Sequence, residues 1–152
     1  MRKVIILLTV ICLMFSGCSN KKDTDKDTKI STYTFKGENE LWNVELNINA
    51  EETFTEKKGT LSYENNVSKV LTATYQKDLS ELSSTKNLMI SYKSSVSGGT
   101  LEENYEDAQP TERVFTLSSA SSGGAIESAD EIIEVNIAID GTTQTIELKN
   151  EN

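Results

Sequence analysis

The sequence predicts an all-β fold built as a single antiparallel β-sandwich, and three observations carry that expectation. Apolar and polar residues alternate with a period of two over several segments, which is the pattern of strands with one face on a core and one in water. Asp140-Gly141 stands between two such segments, and a turn of that kind needs the positive φ that Gly tolerates. Turn-forming residues recur at intervals of roughly 10 residues, the spacing of short strands in a sandwich or barrel.

The clearest strand is Trp42-Asn43-Val44-Glu45-Leu46-Asn47-Ile48-Asn49, with Trp42, Val44, Leu46 and Ile48 on one face. A second runs over 131–140, where Ile133, Val135, Ile137 and Ile139 point one way, and Ile132 and Ala138 suggest partial cover on the other side. Asp140-Gly141 then leads into 142–149, with Ile146 and Leu148 in register, so the chain is expected to finish in a hairpin. Weaker strands are expected over 33–36, 53–57, 60–63, 70–76, 88–94, 100–105 and 114–118. Gly59, Asn65-Asn66, Gly98-Gly99 and Gly123-Gly124 punctuate them. Residues 77–82 (KDLSEL) suit one helical turn between strands, whereas 102–107 with Pro110, and 118–124 (SSASSGG), read as mobile loops. The expected arrangement of these strands is immunoglobulin-like.

Ahead of the folded part, Met1-Arg2-Lys3 and the apolar run VIILLTVICLMF form the charged and hydrophobic regions of a secretory signal. The run falls short of the roughly 20 apolar residues that cross a hydrocarbon core. It ends in Phe15-Ser16-Gly17-Cys18, which resembles the lipobox of bacterial lipoproteins, with Phe15 where leucine is most often found. The resemblance implies cleavage between Gly17 and Cys18 and thioether attachment of diacylglycerol to Cys18. A disulfide with Cys12 is excluded by location, because Cys12 lies within the signal and leaves with it. Such an anchor is physically sufficient, since each buried methylene contributes about 0.8 kcal/mol and two acyl chains hold where one binds only reversibly.

The expected organisation is therefore a signal peptide over 1–17, a lipidated cysteine and flexible tether over 18–31, and a β-sandwich domain over 32–150. The stretch SNKKDTDKDTK after Cys18 has no apolar residue and cannot offset its ordering entropy by burial. A dozen flexible residues reach roughly 20 Å. Removal of 1–17 leaves 135 of the 152 residues, enough for one domain with a real core. The folded part also resembles domains of small uncharacterised lipoproteins of Gram-positive bacteria, in its Trp-x-Val-x-Leu strand and its Ile-Asp-Gly-x-x-x-x-Ile-x-Leu hairpin. That resemblance implies no activity to carry over.

Without 1–17 the chain has 13 basic and 24 acidic residues. Nucleic acid is thus excluded as an expected partner, because binding it requires Lys and Arg to neutralise phosphates. The acyl group rather than a basic patch is expected to supply membrane affinity. Histidine is absent and the one mature thiol carries lipid, which removes Ser-His-Asp, Cys-His, and His or thiolate zinc chemistry. No catalytic residue, metal or cofactor is expected.

Glu102, Glu103, Glu106 and Asp107 offer calcium-type oxygen ligands but lack a D-x-D-x-D-G arrangement, so a solvated acidic loop is expected. Trp42 offers a stacking face for a sugar, yet its phase with Val44, Leu46 and Ile48 points it into the core. Tyr63, Tyr75, Tyr92 and Tyr105 share no strand face. The expectation is a lipid-anchored extracytoplasmic binding or interaction module at the outer face of the cell membrane, with an envelope protein or cell-wall component as partner. The alternatives are a protective or inhibitory lipoprotein that captures a cationic enzyme or peptide, and a small carboxylate hydrolase or sugar binder.

Overall fold

A computed structural model describes residues 24–151. The signal peptide, the Gly17-Cys18 cleavage and lipidation site, and residues 18–23 of the expected tether lie outside these described residues.

The fold is all-β and antiparallel. Its strands are β1 (Thr24–Glu38), β2 (Trp42–Lys57), β3 (Thr60–Tyr75), β4 (Asn87–Lys93), β5 (Gly98–Asn104), β6 (Val114–Ser122), β7 (Ile132–Ile139) and β8 (Thr142–Asn150). They form one eight-stranded sheet in the order β5-β4-β7-β8-β1-β2-β3-β6. The sheet curls until its two edge strands, β5 and β6, approach each other, so opposite parts of one sheet face each other across a single core. This order does not confirm the immunoglobulin-like arrangement.

The core follows the period-two pattern. Trp42, Val44, Leu46, Ile48 and Ala50 of β2, and Ile133, Val135 and Ile137 of β7, are buried, together with Phe35, Leu71, Leu88, Ile90 and Leu148. Ala138 is buried on the other side of β7, whereas Ile132 is exposed. The closing hairpin forms as expected, with Asp140 at φ 48° and Gly141 at φ 84°. Asp140 Oδ1 also accepts from the backbone N–H of Lys86 (2.9 Å) and Asn87 (2.8 Å), locking the start of β4 to this turn. The helical turn predicted over 77–82 is a 3-10 turn, Leu79–Leu82, capped by Asp78, whose side chain accepts from the N–H of Ser80 at 2.8 Å.

Several strands are longer than the sequence pattern suggests. Asn65-Asn66 is not a turn: it lies inside β3, which joins the two segments expected over 60–63 and 70–76. Asn65 is buried there because its amide donates to Gly124 O (2.6 Å) and Tyr63 Oη (3.1 Å). Gly98-Gly99 opens β5, and 118–122 belongs to β6, paired with 66–70 of β3, rather than to a loop. Residues 24–31, expected in the tether, are the first half of β1 and pair with 50–57 of β2.

These extensions make a blade. The distal parts of β1, β2 and β3 run on past the end of the core, where β6 pairs with β3 only over 66–74 and β8 pairs with β1 only at Phe35 and Lys36. Lys58 (φ 52°) and Gly59 (φ 78°) turn the chain at the blade tip. From Trp42 to Lys57, β2 extends about 50 Å at the usual rise per residue.

Candidate functional site

Among the described residues, two places bring polar chemistry together into candidate sites. The first is buried at the base of the blade. Lys69 sits on the inward face of β3, where its neighbours Val67 and Leu71 are core residues. Its ammonium donates to Glu127 Oε1 at 2.5 Å and to Ser97 Oγ at 2.7 Å. Ser94 Oγ (2.8 Å) and Ser97 Oγ (2.7 Å) also donate to Glu127 Oε1. Glu127 belongs to the segment that crosses from β6 to β7, and Ser94 and Ser97 to the turn between β4 and β5. Burial pushes the Glu127 carboxyl upward, but hydrogen bonds from Lys69, Ser97 and Ser94 outweigh it and hold the group below the usual carboxylate range. The cluster is therefore an ionised, hydrogen-bonded plug that closes one end of the core.

The second place is the seam between the sheet edges. At one end Gly99 lies under Leu117 and Tyr92: a Cβ on Gly99 would stand 2.9 Å from Leu117 Cδ2 and 2.9 Å from Tyr92 Cε1. That contact shuts the seam near the plug. Toward the other end it opens into a cleft of about 410 Å3, whose lining includes Leu101, Glu103 and Tyr105 on one side and Glu112, Phe115 and Thr116 on the other.

Local structure positions these groups. Tyr105 follows β5 and is held by its N–H donating to Lys86 O at 2.8 Å. Arg113 O accepts from Tyr75 N–H at 2.8 Å, which fixes the start of β6. Phe115 is buried against Trp42, with ring centroids 5.8 Å apart. Burial, then the carboxylates of Glu103 and Glu112, push the Tyr105 phenol above its ordinary value, so it keeps its proton and can donate. Glu103 and Glu112 thus frame an apolar floor beside two strand edges that hydrogen-bond to their sheet neighbours on one side only. A comparable open groove of about 420 Å3 at the base of the blade is lined mainly by small and polar side chains such as Asn49, Asn66, Ser68 and Ala120, and lacks an aromatic floor.

The expected candidates separate clearly. Trp42 is fully buried, packed on Tyr75 at 5.1 Å as well as on Phe115, and presents no face to a sugar. Tyr75 and Tyr92 are core residues, while Tyr63 is exposed on the blade and Tyr105 lines the cleft. Of the acidic group, Glu102 and Glu103 lie on β5 and Glu106 and Asp107 beyond it. No group of three or more metal-ligating side chains is found among the described residues. Sequence reasoning missed Lys69, Glu127 and the cleft. The available signal for Lys69 was its phase, since a lysine between Val67 and Leu71 on an alternating strand must face the core. Comparison of the chain with protein-family models, curated proteins and solved structures finds no match.

Proposed function

We propose that the protein is a lipid-anchored extracytoplasmic binding module, held at the outer face of the cell membrane through Cys18, that takes an extended cationic peptide segment in the cleft between β5 and β6. The observation that supports this reading is the cleft itself, in which Glu103 and Glu112 flank Leu101, Tyr105 and Phe115 beside two open strand edges. An extended segment laid on such an edge gains main-chain hydrogen bonds, and its alternate side chains enter the cleft. A Lys or Arg there places its aliphatic stem on Tyr105 and Phe115 and its charge near the two glutamates. The acid excess of the chain draws such a partner in from solution. The partner class is a cationic stretch of an envelope protein or cell-wall peptide, which joins the interaction and capture readings of the sequence.

Calorimetric titration with an alternating Lys-Val peptide tests the cleft. Binding that weakens as salt rises, and that the double variant Glu103→Lys/Glu112→Lys abolishes, is the expected result. Binding of equal strength in that variant sinks the reading. For the anchor, Cys18→Ala is expected to release the chain from the membrane fraction, and retention there counts against lipidation.

A further inference from the structure

We infer that the blade is the foot on which the domain stands, its tip at Leu61 and the Lys58-Gly59 turn resting against the phospholipid headgroups. This deepens the anchoring part of the proposed function and rests on acylation of Cys18. β1 begins at Thr24, whose pairing partner is Lys57 at the blade tip. Six residue steps separate Cys18 from Thr24, so the lipid lies within about 22 Å of that tip even if the link is fully extended. The end of the domain that carries so short a link is the end that meets the bilayer.

The chemistry of the tip fits that neighbour. Leu61, next to the turn, is 68% exposed. It shares the blade face that carries the rings of Phe54 and Tyr63, tilted at 48° to each other with centroids 5.1 Å apart. An apolar side chain beside aromatic rings suits the boundary between headgroups and acyl chains. Charge points the same way. From Asp27 to the tip, Lys26, Lys57 and Lys58 balance Asp25, Asp27 and Glu56, in a chain that without 1–17 has 13 basic and 24 acidic residues. The opposite end holds Glu103, Glu106, Asp107 and Glu112 around the cleft. An anionic leaflet therefore repels the cleft end and tolerates the tip, which turns the domain upright. In that posture the cleft stands up to about 50 Å from the foot and faces away from the membrane.

The full lipoprotein, purified and reconstituted in vesicles of phosphatidylcholine and phosphatidylglycerol, tests this directly. Cys18 is acylated and Cys12 is lost with the signal, so a cysteine placed at Thr60 near the tip or at Thr143 near the opposite end is the only thiol to label. A fluorophore at Thr60→Cys is expected to lose most of its emission to nitroxide-bearing headgroups, and one at Thr143→Cys to keep it. Lys57→Glu/Lys58→Glu is expected to restore emission at Thr60→Cys on these vesicles. The mass of the Cys18 peptide is recorded on the same sample. Acylated protein with both labels quenched alike, or with only Thr143→Cys quenched, overturns the orientation and leaves the anchor standing. Unacylated Cys18 overturns both.

Discussion

Lys69 Nζ lies 2.5 Å from Glu127 Oε1, with side-chain exposures of 6% and 0%, across 58 residues of sequence. This pair ties the inward face of β3 to the segment crossing from β6 to β7. It holds the end of the core shut where the blade begins. Breaking a buried pair by removing one partner leaves an uncompensated charge, which costs about 3–5 kcal/mol. Glu127→Gln or Lys69→Met is thus expected to lower unfolding free energy by that order in urea titration. Lys69→Met/Glu127→Leu together is expected to recover much of the loss, because neither charge then remains buried. Single variants as stable as the parent would show that the plug contributes nothing.

The same pair sets a pH dependence. Glu127 is held below its ordinary value of 4.5 in the fold, so the unfolded chain takes up its proton first as pH falls. The stabilisation is therefore fully present above the unfolded value and lost as pH drops through the folded one. The urea midpoint of the parent should fall below pH 4.5, and less steeply in Glu127→Gln. Asp78 and Asp130, held low chiefly by hydrogen bonds from Ser80 and Ser128, titrate in the same direction but remain in Glu127→Gln. The difference between the two proteins isolates Glu127, and parallel curves would refute its role.

How much of this could be read from the chain depends on whether a residue's partner is near it in sequence. The strand from Trp42 and the hairpin through Asp140-Gly141 were legible because alternation and turn chemistry act over a few residues. The continuity of β3 through Asn65-Asn66 is hidden, since an asparagine pair is a turn signal until Gly124 O, far along the chain, satisfies the Asn65 amide. The start of β1 and the end of β6 carry few apolar residues and so show no strand pattern in sequence. They are ordered by ladder pairing to β2 and β3, which lack of hydrophobicity does not forbid. The cleft was invisible because Leu101 and Phe115 meet only when the sheet curls.

In the middle of the sheet, β8 lies against β1 at a glycine. A Cβ on Gly37 would stand 2.3 Å from Glu147 O and 2.9 Å from Leu148 Cδ2, with backbone rather than a flexible tip in the way. Gly37→Ala must separate the strands, and overpacking of this kind costs about 1–3 kcal/mol. Gly124→Ala meets nothing closer than Ser121 Oγ at 3.7 Å, so it serves as the control and is expected to stay within about 0.5 kcal/mol of the parent. Equal thermal midpoints for the two variants would mean that β1 and β8 have room to spare.

Trp42 reports on both core and cleft. It is the only tryptophan, it is fully buried, and it packs on Phe115, a residue that also lines the cleft. Its native emission should be blue-shifted and shielded from acrylamide, moving to the red on unfolding. Trp42→Ala removes the largest core side chain and is expected to cost about 3–5 kcal/mol. Trp42→Phe should cost less, because the indole Nε1–H has no hydrogen-bond partner among the described residues and its removal relieves a buried, unsatisfied donor. If Trp42 serves folding alone, Trp42→Phe keeps the parent's affinity for a cationic peptide while its urea midpoint falls. A Trp42→Phe protein that unfolds like the parent yet no longer binds the peptide would make the indole part of the binding surface.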